Sequence, residues 1–183
     1  MWIHAGTPAL CCPASGLCKQ HNKVRDYFLA TGRDTGWSPD FEFSLPSSQI
    51  RPSDILLRTF GPRPTAVDVT ITHPLRPSYN IAAVNEVALA AEKAEVLKRQ
   101  MYDQPCTSAG WAFKPFGMEV TGALGPSAER LIWKMVRTWS MKTGEPMPTL
   151  MPQVMTGLFL SLAKGVGESL LAAGPLLSDS PNL

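Results

Sequence analysis

Two aspartates, Asp54 and Asp68, stand on either side of the sequence Gly61-Pro62-Arg63-Pro64. Asp54 opens the apolar run Asp54–Phe60, entered through Arg51-Pro52, and Asp68 lies inside the run Thr65–Leu75. A turn that short predicts a hairpin, and paired strands lie about 5 Å apart. Two carboxylates on one face of such a hairpin come within reach of one divalent cation. Hard cations such as Mg²⁺ or Mn²⁺ take oxygen ligands and use one or two protein carboxylates, leaving the rest of the shell to water and phosphate. A cation held this way activates water and stabilises charge at phosphorus. The same pair also fits a strand cap beside a structural salt bridge, and spacing alone favours that use, because acidic pairs are common. Asp68 interrupts an apolar, β-branched run, where an unpaired carboxylate is costly to bury.

Other residues offer supporting chemistry. Glu42 lies on the strand before Asp54 and is a candidate to complete a metal shell, or else a hydrogen-bonding surface residue. Glu119 has the same two readings. Arg51, Arg58, Arg63 and Arg76 flank the aspartate runs and suit phosphate contact, which positions a duplex without reading its sequence; they equally suit solvated loops. Cys11, Cys12, Cys18 and His21 supply zinc-ligand types, but Cys11 and Cys12 are adjacent, which breaks the usual ligand spacing. Zinc is therefore not expected there, and His21 is read as the start of a helix. The sequence has no Gly-rich phosphate loop and no nucleophile elbow.

The elements that must position these residues follow from periodicity. Lys19–Thr31 is helical, with Val24, Tyr27, Phe28 and Thr31 on one side, and Gly32 and Gly36 stop it. Phe41–Leu45 alternates as a strand and ends at Pro46. In Thr65–Leu75, Val67, Val69 and Ile71 share one face while Asp68, Thr70 and Thr72 share the other. Residues 81–103 are rich in good helix formers. Trp111–Val120 reads as a strand in which Pro115 demands an edge or a bulge. Pro126–Lys142 is helical behind a Gly-Pro start, and Leu150–Ala173 is a last, apolar helix. The expected fold is a single α/β domain, a small mixed central sheet flanked by helices in three layers, plus a C-terminal helix. Its parts are an irregular segment 1–18, a core 19–142 and a helical extension 143–183.

Bulk properties narrow the class without naming a function. The 183 residues are 44% hydrophobic and 17% charged, which suits one domain with a real core. A net charge of +2 permits nucleic-acid binding without demanding it. Reduced thiols are the default for four cysteines in this setting. Gly157, Lys164, Gly165, Gly167 and Glu168 interrupt Leu150–Ala173, so it reads as a packing helix and not a membrane span.

Four motifs occur in one order over roughly residues 9–140. They are His21-Asn22-Lys23-Val24-Arg25-Asp26, then Arg51-Pro52-Ser53-Asp54 with Asp68-Val69-Thr70 through His73-Pro74-Leu75, then Ala91-Glu92 to Lys98, then Gly110-Trp111 with Pro115-Phe116-Gly117-Met118-Glu119 to Gly122. Together they resemble the endonuclease-like region at the C-terminal end of certain non-LTR retrotransposon polyproteins. That region is similar to the PD-(D/E)xK nucleases, and the resemblance implies a restriction-endonuclease-like core. It implies that Asp54 and Asp68 hold Mg²⁺. Thr70 stands where the superfamily lysine is expected, and the resemblance moves that role to Lys98, with Tyr102 one turn on along the same helix face. Lys98 is otherwise one of several solvated lysines, Lys93 among them. The resemblance also implies a zinc knuckle upstream, of which the cysteine segment is a remnant. The implied function is a DNA endonuclease that nicks chromosomal target DNA in the nucleus, with element RNA a further partner through a missing upstream polyprotein. The alternative is a catalytically inactive fragment of a mobile element that at most binds nucleic acid. An unrelated α/β scaffold would instead put the aspartates on opposite faces or tie each into a salt bridge.

Overall fold

The computed structural model describes residues 17–45, 51–74 and 86–173. The first helix, α1, spans Leu17–Thr35. It buries Gln20, Val24, Phe28, Thr31 and Thr35, a stripe at steps of three and four residues. Gly36, at φ +83°, takes the left-handed conformation that ends it. Three strands follow: β1 at Pro39–Phe43, β2 at Ser53–Leu57 and β3 at Thr65–Thr72. Helix α2 covers Leu89–Ser108, strand β4 covers Ala112–Glu119, and helices α3 and α4 cover Pro126–Thr143 and Met147–Ala173.

The four strands form one mixed sheet in the order β1-β2-β3-β4. β1 pairs with β2 and β2 with β3 antiparallel, whereas β3 and β4 are parallel. A parallel pair needs a crossover, and α2 supplies it. β4 is an edge strand, which accommodates Pro115.

Alternation along the strands divides the interior into two layers. On one face Ile55, Leu57, Val67, Val69, Ile71, Phe116 and Met118 pack with residues of α1, α3 and α4. On the other, Leu56, Ala66 and Phe113 pack with Cys106, Trp111 and Tyr102, so α2 lies there alone. The architecture is thus an α/β domain with helices on both sides of the sheet. Helix α4 contributes Leu150, Val154, Leu158 and Leu162 to the larger cluster. By length and composition α4 is also long and apolar enough to cross a membrane.

Element ends differ from the periodicity in instructive places. The helical composition begins near Ile81, but α2 starts at Leu89 because Ala88 takes a left-handed backbone at φ 66°; residues 81–85 lie outside the described residues. β2 ends at Leu57, not Phe60, because the chain bends from Arg58 onward, where the Arg58 guanidinium meets Asp40. β3 stops at Thr72, and Leu75 lies outside the described residues.

Candidate active site

The β2–β3 ladder runs Ile55↔Val67, Leu56↔Ala66, Leu57↔Thr65. One further step in that register sets Asp54 opposite Asp68. The ladder opens there, and the Val69 N–H donates to Asp54 Oδ2 at 2.7 Å in place of a backbone carbonyl. The same oxygen lies 2.9 Å from His21 Nε2, brought in by the second turn of α1. Lys98, from the middle of α2, places its Nζ 2.8 Å from Asp68 Oδ2. The Thr70 hydroxyl donates to that oxygen at 3.2 Å. The result is a short row in which two neighbouring carboxylates, Asp54 and Asp68, are flanked by His21 and Lys98, gathered from α1, β2, β3 and α2.

The two carboxylates titrate in opposite directions. Burial would raise Asp54, but the hydrogen bond and charge of His21, the Val69 N–H and the charge of Lys98 outweigh it, and its pKa is lowered. Asp68 is more deeply buried, and burial raises its pKa despite Lys98, with the neighbouring charge of Asp54 acting in the same sense as burial. His21 loses by burial and gains more from Asp54, so its pKa is raised.

The donor set suits a hard cation. Each aspartate uses Oδ2 for its protein partners, while no hydrogen bond among the described residues reaches Oδ1 of either. Two such oxygens on adjacent strands, with 21% and 11% of their side chains exposed, leave a coordination shell to be completed by water and phosphate. Among the described residues no group of three or more His, Cys, Asp or Glu side chains is arranged to hold a metal. A closed, zinc-type shell is therefore absent from the described residues, whereas a two-carboxylate Mg²⁺ site needs no third protein ligand.

The remaining candidates lie at varied distances from this row. Tyr102 sits half-buried behind Lys98, whose Nζ is 5.5 Å from the ring centroid, and it stacks edge-on against Phe113 at 5.6 Å. Glu42 lies on β1, and the register on either side of it, Phe41↔Ile55 and Phe43↔Ser53, sets its backbone opposite Asp54; its side chain is outside the described residues. Arg51 is exposed just before β2, at the Asp54 end. Arg58 and exposed Arg63 sit at the other end of the hairpin, four or more residues from Asp54, which is about 13 Å along a strand. Arg76, Cys11 and Cys12, and the Cys18 side chain, lie outside the described residues. His21 has both ring nitrogens engaged, the second with Asn22 Oδ1 at 3.2 Å.

Two buried glutamates have a different task. Glu119 accepts the Ala90 N–H at the start of α2. Glu95 accepts from the N–H groups of Gly117, Ser127 and Ala128, tying α2 to β4 and capping α3. Cys106 is buried, and burial with the nearby charge of Asp103 pushes its thiol up to about 11, which leaves no thiolate for nucleophilic use.

Sequence reasoning missed His21 as the partner of Asp54, because 33 residues separate them and only the tertiary fold joins them. In comparisons with known proteins, no protein-family model matches the chain and no curated protein matches it in sequence.

Proposed function

We propose that the chain is a divalent-cation-dependent DNA endonuclease module of the retrotransposon type, hydrolysing phosphodiester bonds to nick its target. The observation that carries this reading is the convergence of Asp54, Asp68 and Lys98 from three separate elements, with one oxygen of each carboxylate free of hydrogen bonds among the described residues. The mixed four-stranded sheet with helices on both faces is what a restriction-endonuclease-like core requires. Mg²⁺ or Mn²⁺ held by Asp54 and Asp68 would supply Lewis-acid chemistry at the scissile phosphate. His21 and the Val69 N–H hold Asp54 ionised and fix its orientation. Lys98 offsets the charge of Asp68 and is placed to approach a phosphate oxygen or to orient the attacking water. Thr70 cannot replace an ammonium group; its hydroxyl orients Asp68 instead.

A second reading has one observation in its favour. Each carboxylate already sits in an ion pair, His21–Asp54 and Lys98–Asp68, as a purely structural role also requires. That reading describes an inactive mobile-element fragment. Plasmid nicking in Mg²⁺ or Mn²⁺ separates the two. Wild type is expected to convert supercoiled to open-circular DNA, and Asp68→Ala and Lys98→Ala to be slower by at least about 100-fold, as for loss of one electrostatic group at a reacting centre. Equal nicking by wild type and Asp68→Ala, or none by wild type, sinks the enzymatic reading.

A further inference from the structure

Four cations gather at one edge of the sheet, Arg130 and Lys134 exposed and Arg99 and Lys114 half-buried. Lys114 lies on the edge strand β4, and the charges that act on it come from Arg99 on α2 and from Arg130 and Lys134 on α3, with Asp103 of α2 acting in the opposite sense. Arg130 and Lys134 are four residues apart on α3 and so share one face of that helix. The two helices pack on opposite faces of the sheet, so their cations meet at its rim along β4. None of the ion pairs among the described residues involves these four side chains. With Asp103 counted against them they still carry +3, more than the net +2 of the whole chain.

Placement relative to the carboxylates adds a direction. Pro115 is the β4 partner of Asp68, so Lys114 is one residue from the level of the site and one strand away. Arg99 follows Lys98 on α2. Lys134 extends the track toward the β2–β3 turn, where its Nζ lies 3.7 Å from the Phe60 ring centroid. Phe60 also meets Trp37 in a T-shaped contact at 4.8 Å. A row of cations suits a phosphate backbone, and that of a DNA duplex carries about one charge per 1.7 Å of axis.

We propose that the β4 edge, lined by Arg99, Lys114, Arg130 and Lys134, is a docking surface for the phosphate backbone of duplex DNA, distinct from the Asp54–Asp68 carboxylates. The surface is argued from charge and placement, and only the choice of DNA over RNA rests on the nuclease reading. Burial and the neighbouring cations hold the Lys114 ammonium below its ordinary pKa, a repulsion that a bound phosphate relieves.

The test is equilibrium binding of a fluorescein-labelled 25-base-pair DNA duplex to the full chain in EDTA, which separates binding from cleavage. Wild type is expected to bind with a steep salt dependence. Lys114→Gln/Arg130→Gln is expected to lose about tenfold or more in affinity near 0.1 M salt, and the slope of log K against log salt to fall by about 1.8, or 0.9 per phosphate contact removed. Arg33→Gln/Lys164→Gln changes net charge equally from exposed positions on α1 and α4 and is expected to bind nearly as wild type. Thermal melts of both double variants establish that each is folded. Equal losses in the two double variants, no binding by wild type, or stronger binding of the matching RNA duplex overturns the proposal. DNA binding that depends on Lys114 and Arg130 without nicking keeps this surface and sinks the nuclease reading; nicking with no such dependence does the reverse.

Discussion

At Asp68 a carboxylate is held where its charge is expensive. Burial raises its pKa above the ordinary 3.8 even with Lys98 at 2.8 Å. A group whose folded pKa is raised adds stability that is full below its unfolded value and is lost as pH rises through the folded pKa. As pH rises toward neutral, the buried Asp68 carboxyl therefore works against folding. Asp68→Asn keeps the shape and removes the charge, and Lys98, with 29% of its side chain exposed, can turn to water. The variant is expected to abolish nicking yet be more stable than wild type by on the order of 1 kcal/mol at pH 7 in urea unfolding. The difference should disappear below about pH 4, where wild-type Asp68 is itself protonated. A loss of stability at pH 7 would favour the structural reading of the Lys98–Asp68 pair. Asp54 has the opposite sign: its lowered pKa adds stability above 3.8, lost only as pH falls through the folded value. Both aspartates were legible in the sequence and Lys98 only through the family resemblance; His21 was not, because nothing in local spacing announces a partner 33 residues away.

Among the elements, α3 shows how tertiary structure supplies what local sequence lacks. Its start, Gly125-Pro126, is a recognisable helix entry, but Gly125 offers no side-chain cap. Glu95 of α2 fills that role by accepting from Ser127 at 2.8 Å and Ala128 at 2.9 Å, and it accepts from Gly117 of β4 at 3.1 Å. Packing there leaves no room for a side chain, since a Cβ at Gly117 would sit 2.6 Å from the Ala91 carbonyl oxygen. Glu95→Ala orphans three buried N–H groups and is expected to destabilise the protein by about 3–5 kcal/mol, read as a lower urea midpoint at unchanged slope. Glu95→Gln retains one acceptor oxygen and should lie between. A change below about 1 kcal/mol for the alanine variant would mean that the junction repacks. The strand periodicities were legible because β3 separates Val67, Val69 and Ile71 from Asp68 and Thr70. The stop before α2 was not, because Ala88 adopts a backbone that its residue type does not signal.

For the molecule as a whole, α4 decides whether the larger core closes. Its Leu150, Val154, Leu158 and Leu162 recur every four residues and are at most 4% exposed, packed in the cluster that holds Val24 and Phe28 of α1. The helices approach closely at Gly165, where a Cβ would lie 2.5 Å from the Gln20 Cα. Leu158→Ala should cost about 3 kcal/mol and lower Tm by about 6–12 °C. Leu171→Ala, at a position 80% exposed, should stay within about 0.5 kcal/mol of wild type. Equal effects at the two positions would mean that α4 does not pack on α1 as described.

What the sequence by itself determined is what depends on neighbours a few residues apart. Alternation placed Asp68 and Thr70 on one face of β3, the Gly-Pro runs marked the turns, and helical spacing put Lys98 and Tyr102 together on α2. Only the tertiary structure decided the rest, because it turns on pairs far apart in the chain. The β2–β3 register carried Asp54 to Asp68, the α2 crossover delivered Lys98, and α1 brought His21 to the row. The β4 edge gathered Arg99, Lys114 and the Arg130–Lys134 pair into one field, although no local spacing links the three elements that carry them. Periodicity reports which face a residue occupies, whereas long-range packing selects the residues that share that face.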